Sequence, residues 1–193
     1  MQKTKVKDPF RPVFPSPAGL IVSIDENKKP NVMTAGEIFN IDLRNPAVVG
    51  ISIREATYTH SLITKSRQFT INFPTSAILE QVDLVGTFSG STGLDKFEKY
   101  GLTPVKSSEI DTPIIAECPV NLECKITSIT DVGEHTLFIA EVVAMHVDSD
   151  KLGKNEEMLI EKMDSIVFAE WQYFKLGERL NDMAFASGGK KLR

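Results

Sequence analysis

The chain has 193 residues, of which 41% are hydrophobic and 25% charged, with a formal net charge of −4. Such a length suits one domain, and the apolar content is enough for a sizeable core, which excludes a disordered chain. The acidic balance argues against a dedicated nucleic-acid binder, whose phosphate contacts call for a basic excess. No run approaches the ~18 to 20 apolar residues of a membrane span. Met1 to Lys7 is basic without the apolar stretch of a signal peptide, so a cytoplasmic protein is expected.

In chain order, Leu20-Ile21-Val22-Ser23-Ile24 is a short apolar run. The polar segment Asp25 to Pro30 separates it from Asn31-Val32-Met33-Thr34-Ala35, which predicts a hairpin with a long loop. Val48 to Ile53 reads as the next strand, entered through Asn45-Pro46. Thr59 is placed to cap a short helix running to Lys65. Gln68 to Phe73 alternates and is closed by Pro74, which cannot donate to a ladder. Thr75 or Ser76 caps a helix through Ile78, Leu79, Val82 and Val85, with Gly86 as its stop. Asp95 to Gly101 is one more short helix ended by glycine.

The clearest alternation is Val120 to Thr127, apolar at every second position, which predicts one buried and one wet face. Asp131-Val132-Gly133-Glu134 is a turn, and His135 to Val147 is a Val- and Ile-rich run that favours strand. These two segments are expected to pair. Many short strands with few helices indicate a closed or nearly closed barrel. There is no internal repeat. The core is expected over about residues 9–177 of a single domain, and the tail over 183–193 is expected to be mobile.

Cys118 and Cys124, if they share a strand, lie roughly 20 Å apart, beyond disulfide reach. The spacing fits neither a redox pair nor a zinc knuckle, so buried thiols are expected. His60, His135 and His146 form no close pair. No GxGxxG, GxxxxGK[ST] or GxSxG is present.

Two stretches could bind an anion or ligand. Ser52 to His60 leaves a strand and enters a helix. A helix N-terminus offers free N–H groups, Arg54 a permanent planar cation, and Thr57 and Thr59 hydroxyls. This is either a phosphate cradle or an ordinary capped helix with a solvated arginine. Gly86 to Gly93 is rich in glycine and hydroxyls and is either a close-approach loop or a connector between helices.

Five stretches carry a resemblance, in order along the chain. They are Pro15-Ser16-Pro17 leading into Leu20 to Ser23, and Pro30 to Ala35. The third is Ile51-Ser52-Ile53-Arg54 with Tyr58-Thr59-His60 and Ile63. The fourth is Gly86-x-x-Ser89-Gly90 with Asp95-Lys96-Phe97 and Gly101-Leu102. The fifth is Leu122-Glu123-Cys124 with Gly133-Glu134-His135 and Glu141-Val142, and Tyr173 to Gly177 resembles a C-terminal signature. The chain resembles the flavin reductase-like family of FMN-binding split barrels, and its flavoredoxin branch most. The resemblance implies a mainly β fold, a six-stranded antiparallel split barrel of Greek-key type with a few short helices, working as a homodimer with one FMN per subunit near the interface.

Carried onto this sequence, Asn31, Val32, Met33, Thr34 and Ala35 would lie along the isoalloxazine edge. Ser52, Ile53 and Arg54 would run beneath the ring and ribityl chain. Arg54, Tyr58 and Thr59 would hold the phosphate. Phe88, Ser89, Gly90 and Lys96 would close over the ribityl-phosphate end, and His135 matches a histidine placed near the nicotinamide. His135 can equally bond only the backbone, Tyr58 can serve as packing, and Glu141 either faces solvent or pairs across a dimer.

Reductases of two-component monooxygenases often carry an aromatic residue soon after the position of Thr34-Ala35, where this chain has Gly36-Glu37 and Phe39 only later. That departure favours the flavoredoxin branch over direct NAD(P)H use. Three functions follow from the resemblance: an NAD(P)H-dependent flavin reductase, an FMN electron carrier serving a redox protein partner without a nicotinamide, and a non-redox flavin-binding module. In all of them the cofactor would carry any redox chemistry, and hydride transfer to a flavin needs no catalytic triad.

Overall fold

A computed structural model describes residues 2–187. Its strands are β1 (Ser16–Pro17), β2 (Gly19–Ile24), β3 (Pro30–Ala35), β4 (Ile38–Asp42), β5 (Val48–Arg54), β6 (Gln68–Phe73), β7 (Pro104–Val105), β8 (Ile114–Ile115), β9 (Val120–Val132), β10 (His135–Val147), β11 (Ile166–Ala169) and β12 (Gln172–Lys175). Its α-helices are α1 (Tyr58–Ser66), α2 (Leu79–Thr87) and α3 (Lys96–Tyr100). The large sheet runs β3-β2-β6-β9-β10-β5-β4, antiparallel throughout, and β3 and β4 are its free edges. It has one strand more than the six expected, because Ile38–Asp42 pairs on the outer side of β5. A second sheet, β1-β11-β12, lies beside it.

The β2–β3 hairpin is set by its turn chemistry. The Asp25 carboxylate accepts from the N–H of Asn27 at 2.9 Å and of Lys29 at 2.8 Å, and Lys28 adopts a left-handed backbone. The β9–β10 hairpin turns at Gly133, whose φ of +61° suits glycine. Each face of the sheet has its own core. Ile21, Ile51, Phe69, Ile71, Cys124 and Phe138 pack together with Ile63 of α1 on one side. Leu20, Val22 and Val32 pack on the other side against Val82 and Val85 of α2, Phe97 of α3 and Ile166.

Four local expectations are corrected. The cap of α1 is Thr57 rather than Thr59: Thr57 has extended backbone and its Oγ1 accepts from the His60 N–H at 3.2 Å. Gly86 does not stop α2, which continues to Thr87, so 86–93 is not one loop but a helix end followed by a 3-10 turn over Gly90–Thr92. The second face of β9 is wet only in part: Lys125 and Thr127 are exposed on it. Asn121 and Glu123 are buried there, because the segment around residues 107–115 folds across them and supplies their hydrogen bonds. Cys118 precedes β9 instead of sharing it with Cys124, and both are free and buried. Of the tail expected to be mobile, residues 185–187 form a 3-10 turn and residues 188–193 lie outside the described residues. No helix among the described residues is long and apolar enough to cross a membrane.

Candidate functional site

A cleft opens where the edge strand β3, the start of α1 and the α2–α3 connection meet. It is lined by Asn31, Met33, the turn Ala56 to Thr59, the stretch Val85 to Gly90, and Lys96. Of the residues singled out from the sequence, this brings together Asn31, Met33, Tyr58, Thr59, Phe88, Ser89, Gly90 and Lys96.

The helix end is built to leave donors free. Thr57 Oγ1 donates to the Arg54 carbonyl at 2.9 Å while accepting from the His60 N–H, so the turn is fixed from both sides. The N–H groups of Tyr58 and Thr59 then have no intrahelical partner. No acidic side chain occupies the first turn, so the positive end of the helix faces the cleft without a resident counter-charge. His60 Nε2 lies 2.9 Å from Thr136 Oγ1, and that hydroxyl donates to Asp131 Oδ1 at 3.0 Å. Because the hydroxyl has one proton, His60 must be the donor, and the bond ties the first turn of α1 to β10.

Asn31 is 7% exposed. Its Nδ2 donates to Thr59 Oγ1 at 2.9 Å, but its buried Oδ1 has no partner. An unpaired buried amide oxygen is unfavourable by about 1–3 kcal/mol. Beside it lies Gly90, where an added Cβ would stand 2.2 Å from Asn31 Oδ1 and 3.3 Å from the Tyr58 ring. The cleft thus holds an acceptor without a donor, and a backbone approach that any side chain would fill. A ligand with N–H or O–H donors fits that arrangement.

Lys96 is 4% exposed, and its ammonium donates to the carbonyls of Val32 at 2.8 Å and Val85 at 2.7 Å. Burial pulls its pKa down to about 8. Two of its three protons are therefore spent on the backbone, tying β3 to α2. Thr34 Oγ1 adds a second tie by donating to the Val82 carbonyl.

The other sequence-derived residues lie elsewhere. The side chains of Val32, Ala35 and Ile53 are in the core, at 0%, 5% and 1% exposure, and only their backbone could meet a ligand. Ser52 is half-buried on β5, its N–H donating to the Glu37 carbonyl at 3.0 Å. Arg54 points into an adjoining cleft lined by Arg54, Glu55, Ala56, Gly133 and Glu134, and Ala56 is common to both clefts. His135 opens β10 directly across from Arg54. Burial pushes the thiols of Cys118 and Cys124 upward, which leaves them poor nucleophiles. No group of His, Cys, Asp and Glu among the described residues is arranged to hold a metal.

Sequence reasoning missed Ala56 and Glu134. Ala56 contributes through backbone shape, which has no side-chain signal. Glu134 reaches Arg54 only through the strand register, and its signal was the adjacent Gly133 turn.

The sequence matches the flavin reductase like domain over residues 10–175. An uncharacterized protein of Archaeoglobus fulgidus is 38% identical over 153 residues, 79% of this chain and 84% of its own. The flavoredoxin of Desulfovibrio vulgaris (Miyazaki F) superimposes with a TM-score of 0.87 at 33% identity, over 97% of this chain and 100% of that one. More distantly, an NADH-dependent FAD reductase of Streptomyces globisporus is 26% identical over 66% of this chain and 68% of its own.

Proposed function

The chain belongs to the flavin reductase-like family, and from that premise we propose that it is an oxidoreductase that holds one FMN per subunit in the cleft between β3, α1 and the α2–α3 connection. The observation that carries this reading is the unpaired Asn31 Oδ1 in the cleft wall, against which Gly90 packs too closely for any side chain. FMN presents ribityl hydroxyls and a ring N–H as donors for such an acceptor. When bound, FMN supplies the capacity to take up and pass on electrons.

The chain's own residues bind and orient. The free N–H groups at the start of α1 and the nearby guanidinium of Arg54 offer the phosphate its donors and positive charge. The Thr59 hydroxyl, which accepts from Asn31, keeps its proton to donate into the cleft. Gly90 lets the backbone come close, and Phe88, 48% exposed, offers an apolar wall that excludes water. Lys96 and Thr34 hold β3 and α2 at a fixed separation, which sets the width of the site. A homodimer belongs to this reading, as does His135 as the residue that meets a nicotinamide donor.

NADH or NADPH is the electron donor in the primary reading, which the NADH-dependent relative supports. A second reading, an FMN carrier reduced by a protein partner, is supported by the likeness to a flavoredoxin over almost the whole chain. Addition of NADH and then NADPH to the FMN-loaded protein without oxygen separates them. Loss of the visible flavin bands selects the nicotinamide-dependent enzyme. Bands that persist with both nucleotides, and are lost on adding a reduced ferredoxin, select the carrier. In the first case His135→Ala is expected to raise KM for the nucleotide and leave FMN affinity unchanged.

A further inference from the structure

We propose that Glu134 competes with the flavin phosphate for Arg54, and so sets how readily this chain releases FMN and how far it prefers FMN to riboflavin. The proposal rests on the reading that Arg54 faces the phosphate. Among the described residues Arg54 has one ion-pair partner, Glu134, with its Nη2 3.4 Å from Glu134 Oε2. The side chains are 60% and 82% exposed. An exposed, single-contact pair of this kind is weak and exchangeable.

The backbone, by contrast, holds the two residues together. Glu55 N–H donates to the Glu134 carbonyl at 3.1 Å, Arg54 pairs with His135 across β5 and β10, and Gly133 makes the turn that delivers Glu134 to this place. Glu55 lines the same cleft without pairing with Arg54, so Glu134 is the carboxylate at the guanidinium. The first turn of α1, which begins two residues beyond Ala56, has no acidic side chain. The Glu134 carboxylate thus lies at the cation, while the first turn of the helix carries no acidic side chain.

A phosphate bearing nearly two charges and three acceptor oxygens can engage the planar guanidinium through two parallel bonds, which a single carboxylate contact at 3.4 Å does not. It would displace Glu134, but against the repulsion of a carboxylate that the hairpin keeps close. Glu134 therefore lowers the affinity for a phosphorylated flavin. It has no such effect on riboflavin, which brings no phosphate to this cation.

The test is titration of the apoprotein with FMN and with riboflavin, followed by flavin fluorescence, for wild type, Glu134→Gln, Arg54→Ala and the double variant. Glu134→Gln is expected to tighten FMN by about three- to tenfold at low ionic strength. It is expected to slow FMN release, to lose most of its effect at high salt, and to leave riboflavin unchanged. Arg54→Ala is expected to weaken FMN, and the double variant to gain nothing over Arg54→Ala. If Arg54→Ala weakens FMN while Glu134→Gln leaves it unchanged or weakens it, the competition is overturned and the phosphate reading stands. Equal tightening of FMN and riboflavin by Glu134→Gln also overturns it. If Arg54→Ala leaves FMN affinity unchanged, the phosphate reading fails and the competition with it.

Discussion

Gly90 packs against Asn31 in the wall of the cleft. The glycine is required by space and not by backbone angle, since a Cβ there would meet Asn31 Oδ1 at 2.2 Å. Gly90→Ala is expected to reduce FMN affinity at least tenfold and to lower the thermal midpoint as well, because Gly90 is buried and the added Cβ would displace the Asn31 side chain. Equilibrium dialysis against FMN beside a thermal melt checks both halves. Arg54→Ala removes a charge-assisted contact to the phosphate, a loss of roughly 1.5–3 kcal/mol, and dialysis would then show FMN binding weakened at least tenfold. At this scale the helix start was legible: Arg54, Thr57 and Thr59 read as either a phosphate cradle or an ordinary capped helix, and the structure puts Thr57 at the cap and Thr59 in the cleft. The role of Lys96 was not. Its sequence position gives no sign that its ammonium ends on two carbonyls 64 and 11 residues away.

Among the elements, β3 is an edge strand whose outer carbonyl at Val32 is satisfied by Lys96 instead of by another strand. Lys96→Met leaves the carbonyls of Val32 and Val85 buried without donors and is expected to destabilise the fold by about 1–3 kcal/mol. The pH dependence has a definite sign. The folded-state pKa near 8 lies below the ordinary 10.5. Lys96 therefore favours the folded state fully above pH 10.5, and that advantage is lost as pH falls through 8. The stability gap between wild type and Lys96→Met is expected to widen from pH 8 towards 10.5 in urea melts, and a constant gap would mean that Lys96 titrates normally.

The hairpins β2–β3 and β9–β10 were legible because turn residues and apolar alternation agree there. The strand β4 and the hairpin β11–β12 were not. Their sequences, IFNID, IVFA and QYFK, are short and carry no complete alternation, so only the neighbouring strand decides their state.

Across the whole molecule, the long hairpin β9–β10 is joined to the segment that crosses it by the Glu123 carboxylate and by the bond from Asn121 to the Ile115 carbonyl. Glu123 is fully buried and accepts from the N–H groups of Ser108, Glu109 and Ile110, from the Ser108 hydroxyl and from His146 Nε2 at 2.6 Å. Burial alone would raise its pKa, but the bonds from Ser108, His146 and Glu109 outweigh it and hold the value near 2. Its contribution is complete above the ordinary value of 4.5 and is lost as pH falls through about 2. Glu123→Gln is expected to lower stability by about 2–3 kcal/mol at neutral pH and to flatten this acid limb in pH-dependent melts. The alternation of β9 announced its apolar face but could not announce a covered polar one, because the groups that cover it come from 6 to 15 residues away in the chain, in a segment without a long strand or helix period.

The mainly β class thus came from local patterns and the family and most of the cleft residues from the resemblance carried by short motifs, while the ion pairs and the buried carboxylate came from register and chain crossing. The most direct trial of the flavin reading is gel filtration of the protein mixed with excess FMN, with the visible spectrum of the protein peak recorded. Flavin bands that travel with the protein at one FMN per chain are expected. A colourless protein peak, with all FMN eluting as free flavin and no quenching of its fluorescence, would contradict the account.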